Sequence, residues 1–180
     1  MQDLSDITGR YGAYLHEVAQ YTENNPRNMA LLADLIDDSP AIHIFGFGRS
    51  GTAALALAIR LRHFLSPKKQ VFWLGDQVRD PIRPGDLVIL FSRSGDRKEV
   101  VSFLDQSRER NARSVAVILA ENSPLGQGAT EKIALPGMEG ALVYGGGDFE
   151  MAAWYFQEVF LTYYGLSHGI PKEKVGQNHI

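Results

Sequence analysis

The 180-residue chain contains no cysteine. That excludes disulfides, thiolate nucleophiles and cysteine-based metal sites. Excess charge of either sign is also missing: 18 basic residues against 21 acidic give a net charge of −3. Such a chain has no general field drawing it to nucleic acid or to a membrane surface. Its apolar runs are far shorter than the roughly 20 residues a membrane span needs. The polar, acidic start Met-Gln-Asp-Leu-Ser-Asp reads as no signal peptide, and a cytoplasmic protein is the default expectation. The leading 40 residues lack a basic recognition helix, so no DNA-binding role is expected. The five histidines show no i, i+4 pairing with carboxylates, and neither a metal nor a cofactor is expected. With 44% hydrophobic residues the chain can build one well-buried domain over 1–180.

What is present is an alternation of strand and helix behind two helices. Leu4, Ile7, Tyr11, Tyr14, Leu15 and Val18 recur at helical spacing, and Asn24-Asn-Pro26 interrupts them. Met29, Leu31, Leu32, Leu35 and Ile36 form a second stripe ending at Asp38-Ser-Pro40. Residues 1–38 therefore read as a helical extension packing on the rest. Strands are expected near 41–46, 70–75, 86–92, 114–120 and 131–135, with helices near 49–64, 96–111 and 146–165. The unbroken run Val115-Ala-Val-Ile-Leu119 suits a strand covered on both faces, as in parallel sheets. The fold class is α/β, a doubly wound parallel sheet.

Two loops carry the chemistry. Gly46-Phe-Gly-Arg-Ser-Gly51 follows the first strand and Ser92-Arg-Ser-Gly95 follows the third, each opening a helix. Glycine lets backbone approach a ligand, and a helix N-terminus offers unpaired N–H groups at a positive dipole end. Serine hydroxyls add rotatable donors. Two such corners on neighbouring strands converge on one anion, which points to a phosphorylated small molecule. Gly46, Gly48 and Gly51 also satisfy the G-x-G-x-x-G dinucleotide spacing, with Asp76 where a ribose-binding acid would sit. Arg49 and Ser50 inside the loop suit a terminal phosphate better than a pyrophosphate on bare backbone. A plain tight strand-to-helix turn is the remaining alternative.

Taken with Asn122-Ser-Pro-Leu125, these loops resemble the sugar isomerase (SIS) domain family. Within it the chain is most similar to the 6-phospho-3-hexuloisomerases, through Gly48-Arg-Ser-Gly51, Ala58-Ile-Arg-Leu-Arg-His63, Pro84-Gly-Asp-Leu-Val88 and Gly147-Asp-Phe-Glu150. The resemblance implies a three-layer, five-stranded, flavodoxin-like sheet assembled into homodimers or homotetramers. It implies an isomerase of sugar phosphates, converting 3-hexulose 6-phosphate to fructose 6-phosphate through an enediolate. It maps Ser50, Ser92 and Ser94 onto phosphate-binding serines and Glu150 onto the catalytic glutamate. His179 maps onto a C-terminal histidine that reaches a neighbouring subunit's site.

Two departures stand out. The family's Ser-Gly-Ser-Gly-Glu-Thr is here Ser92-Arg-Ser-Gly-Asp-Arg97, so Arg93 and Arg97 replace Gly and Thr. Its Pro-Met-Gly-Ser/Thr-Leu before the glutamate is here Tyr144-Gly-Gly-Gly-Asp148. Gly48, Arg49, Arg93 and Arg97 join the serines as candidate substrate-binding residues.

Deprotonating carbon beside a carbonyl needs a positioned base, and Glu150 fits that role. The alternative is an acid complementing the helix dipole. Asp148 competes for the same role or serves as the N-cap. His63, beside Arg60 and Arg62, reads either as a helix C-terminal cation or as an acid or hydroxyl contact on the sugar. His43, inside the first strand, reads as a packed core histidine. Trp154, Tyr155, Phe156, Phe160, Tyr163 and Tyr164 crowd the last helix, partly for the core and partly for a subunit interface. A non-catalytic sugar-phosphate sensor and a nicotinamide-dependent enzyme are the competing functions.

Overall fold

The computed structural model describes residues 3–140 and 146–178. Five parallel strands, β1 (Ala41–Gly46), β2 (Gln70–Trp73), β3 (Leu87–Ser92), β4 (Arg113–Ile118) and β5 (Glu131–Ala134), lie in the order β2-β1-β3-β4-β5. Ile42 pairs with Val71 on one side and Leu87 on the other, so β1 and β3 are immediate neighbours. Among the described residues, seven helices flank the sheet: α1 (Leu4–Asn24), α2 (Pro26–Asp38), α3 (Gly48–Leu65), α4 (Lys98–Glu109), α5 (Pro124–Gly128), α6 (Asp148–Ser167) and α7 (Lys172–Gln177).

Alternation along each strand sends side chains to two separate cores. Ile42, Ile44, Ile89, Phe91, Val115 and Val117 face a large core with α1, α2, α3 and α6. Phe45, Val88, Leu90, Ala116 and Ile118 face a smaller one with α4 and α5. Both faces of the central strands are covered, which is why β3 is buried at all six positions. The result is the expected three-layer α/β sheet.

The elements depart from expectation at their ends, for local reasons. β2 stops at Trp73, although the Leu74 N–H still donates to the Ile44 carbonyl at 3.0 Å. α4 starts at Lys98 rather than 96 because Gly95 has φ +67° and Arg97 is extended at its N-cap. Two short helices went unforeseen. In α5 the Ser123 hydroxyl caps the Gly126 N–H ahead of a helical Pro124. The other, α7, buries no residue and so leaves no apolar stripe to read. The core half of the expectation for the last helix is observed. Phe156, Phe160 and Tyr164 are buried, whereas Trp154 and Tyr163 stand 46% and 41% exposed.

Candidate functional site

The chain leaves β1 toward β2 in one direction and β3 toward β4 in the other. The carboxyl ends of β1 and β3 therefore bound the crevice where open α/β sheets bind ligands. Gly46 pairs with Phe91 across that end, which sets the two loops side by side. A cleft of about 270 Å³ opens there, lined by Phe47 through Ser50, Ser92 through Ser94, Arg97, Val100 and Glu150. It lies at the small end of ligand pockets (about 300–1,000 Å³) and suits a compact phosphorylated molecule better than a dinucleotide.

The first turns of α3, α4 and α6 all border the cleft, and each brings a positive dipole end. The glycine corner is tight: Gly48 has φ +60°, and a Cβ on Gly51 would sit 2.6 Å from the Gly46 carbonyl oxygen. Ser50 is buried, and its hydroxyl donates to Glu150 Oε1 at 2.9 Å. Arg49 Nη2 lies 3.7 Å from Glu150 Oε2. Glu150 is thus held from two sides, with its side chain 15% exposed. The Ser92 hydroxyl accepts from the Gly95 N–H at 3.0 Å, which leaves its proton free to donate elsewhere. Ser94 hydrogen-bonds to Asp96. The guanidinium of Arg97 rests over the Phe47 ring, 5.8 Å from its centre. From the far side, the loop is tied down by the Leu125 N–H donating to the Gly95 carbonyl at 2.9 Å.

Arg93 is engaged differently. Its Nε and Nη2 donate to Asp148 Oδ1 and Oδ2 at 3.0 and 3.2 Å. Asp148 is 1% exposed and also accepts from the Met138 N–H at 3.2 Å. Burial pushes its carboxyl upward. The Arg93 hydrogen bonds and the N–H groups of Phe149 and Met138 outweigh this and hold it below the usual range. The same hydrogen bonds raise Arg93. Asp148 is not the N-cap: Gly147, at φ 130°, occupies that position and Asp148 is the first helical residue. The Tyr14 hydroxyl of α1 shares its single proton between the Asp148 carbonyl at 2.8 Å and the Pro136 carbonyl at 3.0 Å.

Gly48, Arg49, Ser50, Ser92, Arg93, Ser94, Arg97 and Glu150 therefore meet in one cleft. His63 does not join them within the chain. It lies in the last turn of α3, roughly 22 Å along the helix from the glycine loop. There the Asn178 side chain donates to its carbonyl at 2.7 Å. His179, Tyr144 and Gly145 lie outside the described residues. His43 is fully buried as expected, with Nε2 3.0 Å from Asp86 Oδ2. Burial depresses it more than that carboxylate raises it. Sequence reasoning missed the bond from Asp148 to Arg93, although both positions had already been marked as departures. Among the described residues there is no cluster of three or more metal-ligating side chains. Nor is any helix long and apolar enough to cross a membrane.

This geometry defines an α/β protein whose two glycine- and serine-bearing loops meet in one cleft at the topological switch point. The SIS domain family model matches residues 35–154, and the chain belongs to that family. It is 32% identical over 123 residues to the 3-hexulose-6-phosphate isomerase of Bacillus subtilis. That match covers 68% of this chain and 64% of that protein, so it spans just under two thirds of the relative's length. The chain is 28% identical over 123 residues to the HTH-type transcriptional regulator HexR of Pseudomonas aeruginosa, covering 67% of this chain and 42% of that one. Among solved structures, a protein of Methanococcus jannaschii with an inferred function of 3-hexulose-6-phosphate isomerase superposes with a TM-score of 0.83. It has 22% identity over 98% of both chains.

Proposed function

We propose that the chain is a phosphosugar isomerase, and that its reaction interconverts 3-hexulose 6-phosphate and fructose 6-phosphate. The observation that carries this reading is Glu150, fixed at 2.9 Å from Ser50 in a cleft walled by two serine loops at helix N-termini. The 32% identity to a named 3-hexulose-6-phosphate isomerase supports the substrate.

The phosphate binds at the N-termini of α3 and α4, against Ser50, Ser92, Ser94 and Arg97, where N–H groups and a guanidinium complement its charge. Glu150 removes the proton from C2 of the 3-ketose. The electron pair forms the C2=C3 bond of a 2,3-enediolate, and negative charge develops on O3. The same carboxyl returns a proton to C3 while the O2 hydroxyl proton passes to O3, leaving the carbonyl at C2. Arg49 and the helix dipoles offset the charge on the enediolate. In an assembly, His63 or His179 of a neighbouring copy assists at the sugar. The exposed Trp154, Tyr163 and Leu166 provide the apolar face for that homodimer or homotetramer.

A sensor without turnover is the second reading. It is favoured by the arginines in the serine loop and by the similarity to HexR. Incubating sugar phosphates in D2O and reading the products by NMR separates the two. Deuterium at the carbon beside the carbonyl, present with the native chain and absent with Glu150→Gln, is the isomerase result. Saturable binding without exchange would assign the sensor, and unchanged exchange in Glu150→Gln would refute the base.

A further inference from the structure

Two of the departures from the family pattern, Arg93 for Gly and Asp148 for Leu, stand 55 residues apart and meet as one fork-on-fork ion pair. Asp148 without Arg93 would be costly, whereas Arg93 without Asp148 would lose only its fixed position. Asp148 alone would bury a carboxylate that is 1% exposed, and Arg93 alone would bring an unanchored cation to the cleft wall. Together they join the serine loop after β3 to the first turn of α6, two residues before Glu150. The Met138 N–H and the Tyr14 hydroxyl add bonds from the β5–α6 connection and from α1.

We infer that Arg93 is a positioning residue rather than a phosphate ligand: with Asp148 it locks the start of α6, and hence Glu150, onto the serine loop. This rests on the isomerase reading above. The two donors of its planar fork that face Asp148 are spent, and the parallel geometry fixes the guanidinium where Asp148 holds it. The cleft's arginines then divide their work. Arg49 lies against Glu150, Arg93 belongs to Asp148, and Arg97, stacked on Phe47, supplies the charge for the anion.

The test is a cycle of Arg93→Gln, Asp148→Asn and the pair Arg93→Gly/Asp148→Leu, which restores the family's residues. Each is measured for kcat and KM on fructose 6-phosphate, for inhibition by inorganic phosphate, and for thermal midpoint. Both single variants should lose at least tenfold in kcat. KM and the inhibition constant should stay within twofold, and the double variant should recover most of kcat and of the midpoint. Arg93→Lys, which keeps the charge and loses the fork, should behave like Arg93→Gln in kcat. The inference is overturned if Arg93→Gln weakens phosphate inhibition tenfold while Asp148→Asn does not, or if the losses multiply in the double variant. If the native chain exchanges deuterium with no sugar phosphate, the isomerase reading alone has failed. Titration with inorganic phosphate and the melting cycle then still decide whether Arg93 belongs to Asp148 or to the anion.

Discussion

Replacing Tyr14 by Phe removes one oxygen and leaves the ring, so any loss of stability reports the hydroxyl alone. That hydroxyl is buried in α1 and reaches two carbonyls, of Asp148 at 2.8 Å and of Pro136 at 3.0 Å. Burial also raises its pKa well above the ordinary tyrosine value, so it donates throughout the physiological range. The Asp148 carbonyl keeps the bond any helical carbonyl makes to the N–H four residues on, so the loss falls short of a fully orphaned group. A buried bond of this kind is worth about 1–2 kcal/mol. For a chain of this size that corresponds to a fall of roughly 2–8 °C in the thermal midpoint. Calorimetry on Tyr14→Phe beside the exposed control Tyr163→Phe measures it, with the control expected to move by less than about 0.5 kcal/mol. A midpoint within 1 °C of the native value, against about 2 °C or more expected, would show that α1 does not hold the start of α6.

Further outcomes follow from other sites. Arg97→Gln should raise KM and the phosphate inhibition constant about tenfold, roughly the 1.4 kcal/mol of one charge-assisted contact, with kcat little changed in steady-state assays. Gly51→Ala drives a Cβ to 2.6 Å from a backbone oxygen and should cost about 3 kcal/mol. By contrast, Gly12→Ala in open space on α1 should stabilise by up to about 1 kcal/mol, both changes being read by urea titration. His168 and Asp37 meet at 2.7 Å. Burial lowers His168, but its bond to Asp37 outweighs this and raises it. Burial raises Asp37, but bonds from Tyr164 and His168 bring it down. His168 therefore stabilises fully below about pH 6.5 and loses this as pH rises through its raised value. Asp37 contributes above about pH 4 and loses it as pH falls through its lowered value. The midpoint gap between the native chain and His168→Gln should be widest between about pH 4 and 6.5 and shrink toward pH 8.

The sheet was legible because its strands are β-branched runs bounded by Asp-Ser-Pro and Arg-Pro-Gly-Asp turns, and both loops were legible because glycine and serine sit at strand ends. Helix starts were less so. Whether α4 begins at residue 96 or 98 depends on the left-handed Gly95, which periodicity does not record. Burial of His43 followed from its place in β1, but its bond to Asp86 spans 43 residues and has no local signature. The same limit hid the Arg93–Asp148 pair: each residue looked like an isolated irregularity, and only the return of the chain through β4, β5 and α6 joins them. For His63 the helix was right, and its direction placed the residue at the wrong end of α3 for this chain's own cleft.

The ion pair also orders the steps by which such a cleft can be reached or undone. Arg93 is one-third exposed and its charge can remain in water without a partner, whereas Asp148 has no such refuge. An arginine in the serine loop is thus a tolerable first substitution, and the aspartate becomes tolerable only after it. Reversion must run the other way, aspartate first. A laboratory lineage that samples single changes from either end should therefore pass through the arginine-only sequence and avoid the aspartate-only one.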